Sequence, residues 1–528
     1  MNDVAPHTSP RIAPLAPLLL LVALGGLVLW LQGFYLVDDA YITFRYAVNL
    51  AAGHGPVWNP GEHVEGYTNP LWMLMLTPLA WTGIDLVWPA AIASLLFALG
   101  CLELLRRIGR RLWPDRPRLT LLAPLLLATN PSFAYWSVMG MESPAFAFWI
   151  LLASHLLLQG RDRPRRRWRA GLVLAAASLT RPEGPLVAAV LLLVEVLAER
   201  GPLPRRIGRL LAPGLIVSAT VVAQLAFRLW YYGDPLPNTF YAKVIFGWVT
   251  VGRGAAHLGL FLLEGGFIAL PGLLVLRRAR APLRPYLAHG YALLLVYALY
   301  LVLVGGDFPR WYRFYLPLLP LPLLGYAELL GRVGARIAGT ARRGALALLV
   351  VALPAALLWP FAEARTIPMI RDGGRKNAQL NRFFFGPQVP KDALVAAFTV
   401  GMLGYYNRFR ILDGWGLNNR HLAHIRPYPA RQSVFGHEKS DMLFVLTQRP
   451  DYIFIRRSGP PLPLKGHEVC WPTWLLPDVI YRRTTPLGPD QLGLGMPPGM
   501  RRTLRLPPPC ALPVKGAFCT QPAAPSGR

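Results

Sequence analysis

Clusters of arginine punctuate a chain otherwise built of long apolar blocks, and this alternation limits what the chain can fold into. The clusters span 106–118, 161–169, 200–209, 277–284 and 332–343. The blocks between them have the length needed to cross ~30 Å of hydrocarbon. Positive charge gathers in the cytoplasmic loops of membrane proteins, so the five clusters are read as cytoplasmic. The apolar blocks then pair as hairpins: 85–105, 119–133, 142–160, 170–181, 185–199, 208–230, 256–276, 285–304, 315–331 and 344–361. With a first block at 12–31 this predicts a polytopic α-helical membrane protein of about eleven transmembrane helices, N-terminus inside and C-terminus outside.

Composition supports the class. Hydrophobic residues make up 54% of the 528 and charged residues 16%, where a soluble enzyme carries about 25% charged. The net charge of +28 does not indicate nucleic acid, because the arginines lie in short clusters between apolar blocks. The first block is read as an uncleaved span, since it lacks a small-x-small exit site. Residues 70–84 are apolar but too short to span, and are laid along the outer surface as an interfacial or re-entrant helix.

The polar residues gather elsewhere. A membrane domain is expected over 1–361, with its first outer loop at 33–84, and a soluble α/β domain over 362–528. In the latter, strand-like runs appear at 393–399 and 451–455, and the end is rich in proline. Cys101 lies in an apolar block, while Cys470, Cys510 and Cys519 lie in the tail, where one disulfide of unassigned pairing is compatible with an oxidising compartment.

The first outer loop carries the densest chemistry: Val37-Asp38-Asp39-Ala40-Tyr41-Ile42-Thr43-Phe44-Arg45-Tyr46, then Glu62-His63-Val64-Glu65-Gly66-Tyr67-Thr68-Asn69-Pro70. Adjacent carboxylates at the end of a span are costly there. Helix capping accounts for one of them. Neighbouring positions on a helix point about 100° apart, which leaves the other to face a cavity.

This loop resembles that of the class C (GT-C) membrane glycosyltransferases, and its fuller string is similar to the branch holding the mycobacterial terminal β-(1→2)-arabinofuranosyltransferases. Further stretches fit the same branch: Gly140-Met141-Glu142-Ser143, Thr180-Arg181-Pro182-Glu183-Gly184, Pro237-Asn238-Thr239-Phe240-Tyr241-Ala242-Lys243, Gly306-Asp307-Phe308-Pro309-Arg310-Trp311-Tyr312-Arg313, Asp413-Gly414-Trp415-Gly416-Leu417-Asn418 and Gly436-His437-Glu438-Lys439. The threading from arginine clusters places all of them outside.

The resemblance implies an inverting transfer from a polyprenyl-phosphate-linked sugar to a glycan or lipid-linked acceptor at the outer face of a bacterial inner membrane. Asp38 or Asp39, with Asp38 favoured, would be the general base. Lys243, Arg313 and Arg181 would hold the donor phosphate. Arg45, Glu65, Tyr67, Asn69, Glu142, Glu183, Asn238, Tyr241, Asp307, Asp413, His437 and Glu438 would contact substrate. A divalent cation is left open. The bland readings are a tight turn for 181–184 and headgroup anchors for Lys243 and Arg313. A lipid-linked glycan flippase or a non-catalytic envelope assembly protein are the competing functions.

Overall fold

A computed structural model of the chain describes residues 15–161, 163–245, 247–264, 266–306, 312–336, 389–407, 409–426, 439, 441–456, 467–470 and 478–483. The apolar block 344–361, Asp307, His437, Glu438, Cys510 and Cys519 lie outside them. The chain divides into two compact units that interleave along the sequence. One holds Met1–Ala40, Thr68–Pro235 and Val244–Asp372; the other holds Tyr41–Tyr67, Leu236–Lys243 and Gly373–Arg528. The sequence reading drew a single boundary at 361, whereas most of the first outer loop groups with the C-terminal residues.

Among the described residues, the regular elements of the first unit are all helices. Three of its described helices are long and apolar enough to cross a membrane: Val87–Leu112, Leu203–Tyr231 and Arg284–Val304. A fourth span arises if Trp248–Glu264 and Gly266–Leu276, bent by 78°, count as one. Ala16–Leu31, Pro70–Trp81, Leu119–Ala128, Ser143–Gln159 and Gly184–Ala198 are apolar but shorter. By length the described helices therefore do not reach the eleven expected.

One block is broken locally. The block 119–133 is split because the Asn130 side chain accepts the backbone N–H of Phe133 at 3.1 Å and so starts a new helix at Pro131. Pro70–Trp81 is a 12-residue helix that opens on a proline and ends before Gly83 at φ +76°, short of a full span as the sequence suggested.

Small residues let these helices approach closely. A Cβ on Gly171 would lie 2.7 Å from Pro213 Cα, and one on Gly254 would lie 2.4 Å from the Val302 carbonyl. Leu203–Tyr231 leaves Leu211, Leu215, Val222 and Leu229 exposed on its flank, a surface suited to hydrocarbon.

The basic clusters are not all solvated. Arg161 and His289 meet at the fully buried Glu195, with contacts of 2.6 Å and 3.0 Å, and the buried Arg167 pairs with Glu199. Positive charge read only as a topology signal thus also ties helix ends together.

The second unit is built on a five-stranded sheet ordered β2-β1-β3-β5-β4, with β1 Leu394–Ala397, β2 Arg410–Asp413, β3 Tyr452–Arg456, β4 His467–Cys470 and β5 Asp478–Arg483. β2, β1 and β3 run parallel, and β5 pairs antiparallel with β3 and β4. A helix, Gly401–Tyr406, carries the crossover from β1 to β2, as parallel pairing requires. Ala396, Leu412, Leu422, Val445 and Ile453 form a core on the sheet.

β2 is an edge strand, and Asn59 of the first loop covers it. Its amide donates to the Ile411 carbonyl at 2.9 Å and accepts the Ile411 N–H at 3.1 Å, as a neighbouring strand would.

Candidate active site

The two aspartates open the helix Asp38–Ala51, in its first turn. There the partial positive charge of the helix end stabilises carboxylates. Arg313 donates to Asp39 Oδ2 at 3.0 Å, across 274 positions of sequence. The Arg313 side chain is 10% exposed against 42% for that of Asp39. It also lies over the rings of Phe314 and Trp136, at 5.1 Å and 5.5 Å. Aromatic faces hold a guanidinium in place. The result is a carboxylate, Asp39, paired with a cation in the first turn of a helix, with Asp38 beside it in the chain.

Phe314 is shared with Arg181, whose guanidinium sits 4.2 Å from the ring centroid. Arg181 has a different environment. It donates to Glu142 at 2.8 Å and to Glu183 at 3.2 Å, and all three side chains are buried. Asn69 donates to the other Glu142 oxygen at 2.8 Å. Ser94 and Trp72 hold the carbonyls of Met141 and Gly140. The two short motifs around Glu142 and Arg181, uninformative singly, are therefore halves of one buried cluster. Two carboxylates offset the single guanidinium, and Asn69 adds a hydrogen bond to one of them.

In the second unit Arg45 is likewise occupied. It donates to the carbonyls of Trp58, Gly404 and Phe409 and to Asn59 Oδ1, at 2.7–3.1 Å, with its guanidinium over the Trp58 ring. Burial lowers its pKa to about 10. The expectation that Arg45 contacts substrate meets a side chain that fastens the first loop to the C-terminal residues.

Four of the quoted motifs contribute residues to the same unit. Asp413, at the end of β2, accepts from the backbone N–H groups of Trp415 and Asn418 and from the Asn418 side chain, at 2.9–3.0 Å. Burial raises the Asp413 pKa against the opposing pull of these bonds and of Lys243. The Tyr46 hydroxyl donates to Val64 O at 2.7 Å, lies 3.1 Å from Asn418 Oδ1 and accepts from Gly66 N at 2.8 Å. A Cβ at Gly66 would fall 1.9 Å from Asn418 Oδ1, which explains glycine there. Tyr67 packs edge-on to Tyr46 at 4.8 Å.

Asn238 donates to the carbonyls of Gly416 and Leu417 at 2.8 Å and 2.9 Å, while its backbone N–H reaches the Glu65 carbonyl at 2.9 Å. Tyr241 stacks on His424 at 4.3 Å, and Lys439 donates to the carbonyls of Tyr241 and Ala423. Lys243 ends the helix Asn238–Lys243 half-buried, and it interacts electrostatically with Asp413.

Tyr46, Asn59, Asn418 and Lys439 were not singled out from sequence, although Tyr46, Asn418 and Lys439 stand inside the motifs quoted for the resemblance and Asn59 lies between the two stretches of the first loop. Trp136 carried no signal of its own. Among the described residues, no three His, Cys, Asp or Glu side chains come together as a metal-ligand group, so no residue set is assigned to a cation.

Residues 370–491 match a family described as a domain of unknown function (DUF8728). The chain is 30% identical over 319 residues to a terminal β-(1→2)-arabinofuranosyltransferase of Mycobacterium tuberculosis, a match covering 52% of this chain and 50% of that protein. A protein of the same name from Corynebacterium glutamicum is 28% identical over 344 residues, covering 55% and 47%. The chain thus spans about half the length of the curated relatives it matches.

Among solved structures, ArnT from Cupriavidus metallidurans in the apo state superposes with a TM-score of 0.50 at 14% identity, over 76% of this chain and 86% of that one. The same protein bound to undecaprenyl phosphate gives 0.50 at 15% identity. The resemblance read from the first loop is borne out by relatives of that name. The fold is that of a polytopic helical membrane protein of the ArnT type.

Proposed function

We propose that this chain is an inverting glycosyltransferase that moves a sugar from a polyprenyl-phosphate donor to an envelope glycan or lipid-linked acceptor. Arabinofuranose is the sugar that the named relatives suggest. The proposed setting is the outer face of a bacterial inner membrane, with about eleven spans, a cytoplasmic N-terminus and the sheet-bearing unit outside.

The observation that carries the proposal is the pairing of Asp39 with Arg313 at the N-terminus of the Asp38 helix. Transfer forms a bond between an acceptor oxygen and the anomeric carbon as the bond from that carbon to the phosphate oxygen breaks. The acceptor proton goes to a carboxylate, and the electron pair leaves with the polyprenyl phosphate. Asp39, paired with Arg313, is assigned the orienting of that guanidinium, and Asp38, the aspartate that the resemblance favours, is assigned the base. The leaving group is already a phosphate and needs a cation rather than an acid. Arg313 supplies it through charge-assisted hydrogen bonds. Lys243, the other cation that the resemblance assigns to the donor phosphate, is a half-buried ammonium at a helix C-terminus and is tested separately.

Donor kinetics test this reading. Arg313→Ala and Lys243→Ala are expected to raise donor KM by roughly tenfold or more, the loss of about 1.4 kcal/mol or more of donor binding. Lys243→Arg should keep more function than Lys243→Ala, imperfectly, because a planar fork replaces a point charge. Unchanged donor kinetics in both alanine variants would leave these side chains as surface anchors and remove the phosphate-binding role.

A further inference from the structure

Arg313 is presented by an unusual backbone. Tyr312, the residue before it, sits at φ +41°, a genuine outlier for a bulky side chain. Such a conformation persists only where the surroundings over-determine it.

The surroundings here are one face of the helix Trp248–Glu264. His257, Phe261 and Glu264 stand at i, i+4 and i+7, the spacing that lines residues along one side. The buried Tyr312 ring lies 5.2 Å from the His257 ring and 5.5 Å from that of Phe261. Its hydroxyl donates to Glu264 Oε2 at 2.6 Å, the length of a charge-assisted O–H···O⁻ bond.

Residues on either side dock on the same helix. A Cβ on Gly306 would meet His257 at 2.8 Å, and Tyr315 stacks on Phe261 at 4.4 Å. The helix therefore seats Gly306, Tyr312 and Tyr315 along one side.

We infer that Tyr312 and Glu264 are positioning residues for Arg313, the Tyr312–Glu264 hydrogen bond holding the left-handed turn that aims the guanidinium at Asp39 and at a donor phosphate. The inference rests on the proposal that Arg313 binds that phosphate. A side chain that served only to pack the helix would act on stability without acting through Arg313.

The test is binding of undecaprenyl phosphate to the purified full-length protein, for the parent, Tyr312→Phe, Arg313→Ala and the double variant. Tyr312→Phe keeps the ring and removes one hydroxyl. It is expected to weaken binding roughly tenfold, about 1.4 kcal/mol, and to cost nothing further in the Arg313→Ala background. Glu264→Ala, at an exposed helix position, breaks the same bond without touching Tyr312 and should weaken binding similarly, which serves if Tyr312→Phe fails to fold. Parental binding in both Tyr312→Phe and Glu264→Ala would overturn the inference. So would an equal loss with and without Arg313. If Arg313→Ala itself bound like the parent, the phosphate-binding proposal would fall and this inference with it, a result distinct from the other two.

Discussion

Asp38→Asn is expected to lower turnover by roughly 10²-fold or more, the usual contribution of a general base, with normal expression and folding. The substitution keeps the volume, and its side-chain oxygen still suits a helix N-terminus. An amide cannot take the acceptor proton at neutral pH. Asp39→Asn should behave differently, because its partner is Arg313 at 3.0 Å. Its effect belongs mainly in donor KM, through a guanidinium that is less firmly oriented. The check is a split of kcat and donor KM for the two variants. If both turned over at the parental rate, the carboxylates would be helix-end residues only and the general-base role would be wrong.

The second large effect concerns stability. Arg181→Ala removes the cation from a buried cluster and leaves Glu142 and Glu183 with two uncompensated carboxylates. Breaking a buried pair from one side typically costs about 3–5 kcal/mol, while replacing the whole set with apolar or neutral groups can be nearly neutral. Arg181→Ala should therefore melt well below the parent in detergent or fail to accumulate. Adding Glu142→Gln and Glu183→Gln to Arg181→Met should recover much of the loss. A parental melting profile for Arg181→Ala would mean that the cluster contributes little to stability.

Much of the chemistry was legible in the sequence because it is local. The paired aspartates are adjacent in the chain, and the strands near 394–397 and 452–456 follow apolar runs of the right length. The lengths of apolar blocks marked a helical membrane protein. What was not legible depends on contacts made across hundreds of residues. Arg45 reaches Gly404 and Phe409 at separations of 359 and 364 positions. No pattern within the first loop signals that its arginine is occupied by carbonyls near β2. Glu142 and Arg181 stand 39 positions apart in motifs that are weak singly, and only the fold reveals that one neutralises the other. One apolar block, 119–133, yields no single long helix for a smaller reason. A capping asparagine followed by proline breaks an apolar block that hydropathy alone reads as continuous.

The most direct measurement incubates the purified full-length protein with a panel of polyprenyl-phosphate sugars and an envelope-glycan acceptor, scoring released polyprenyl phosphate and the anomeric configuration of the product. The expected result is acceptor-dependent release from the arabinofuranose donor with inversion at the anomeric carbon, falling roughly 10²-fold or more in Asp38→Asn. Release from no donor in the panel, or release undiminished in both Asp38→Asn and Asp39→Asn, would contradict the proposed glycosyl transfer.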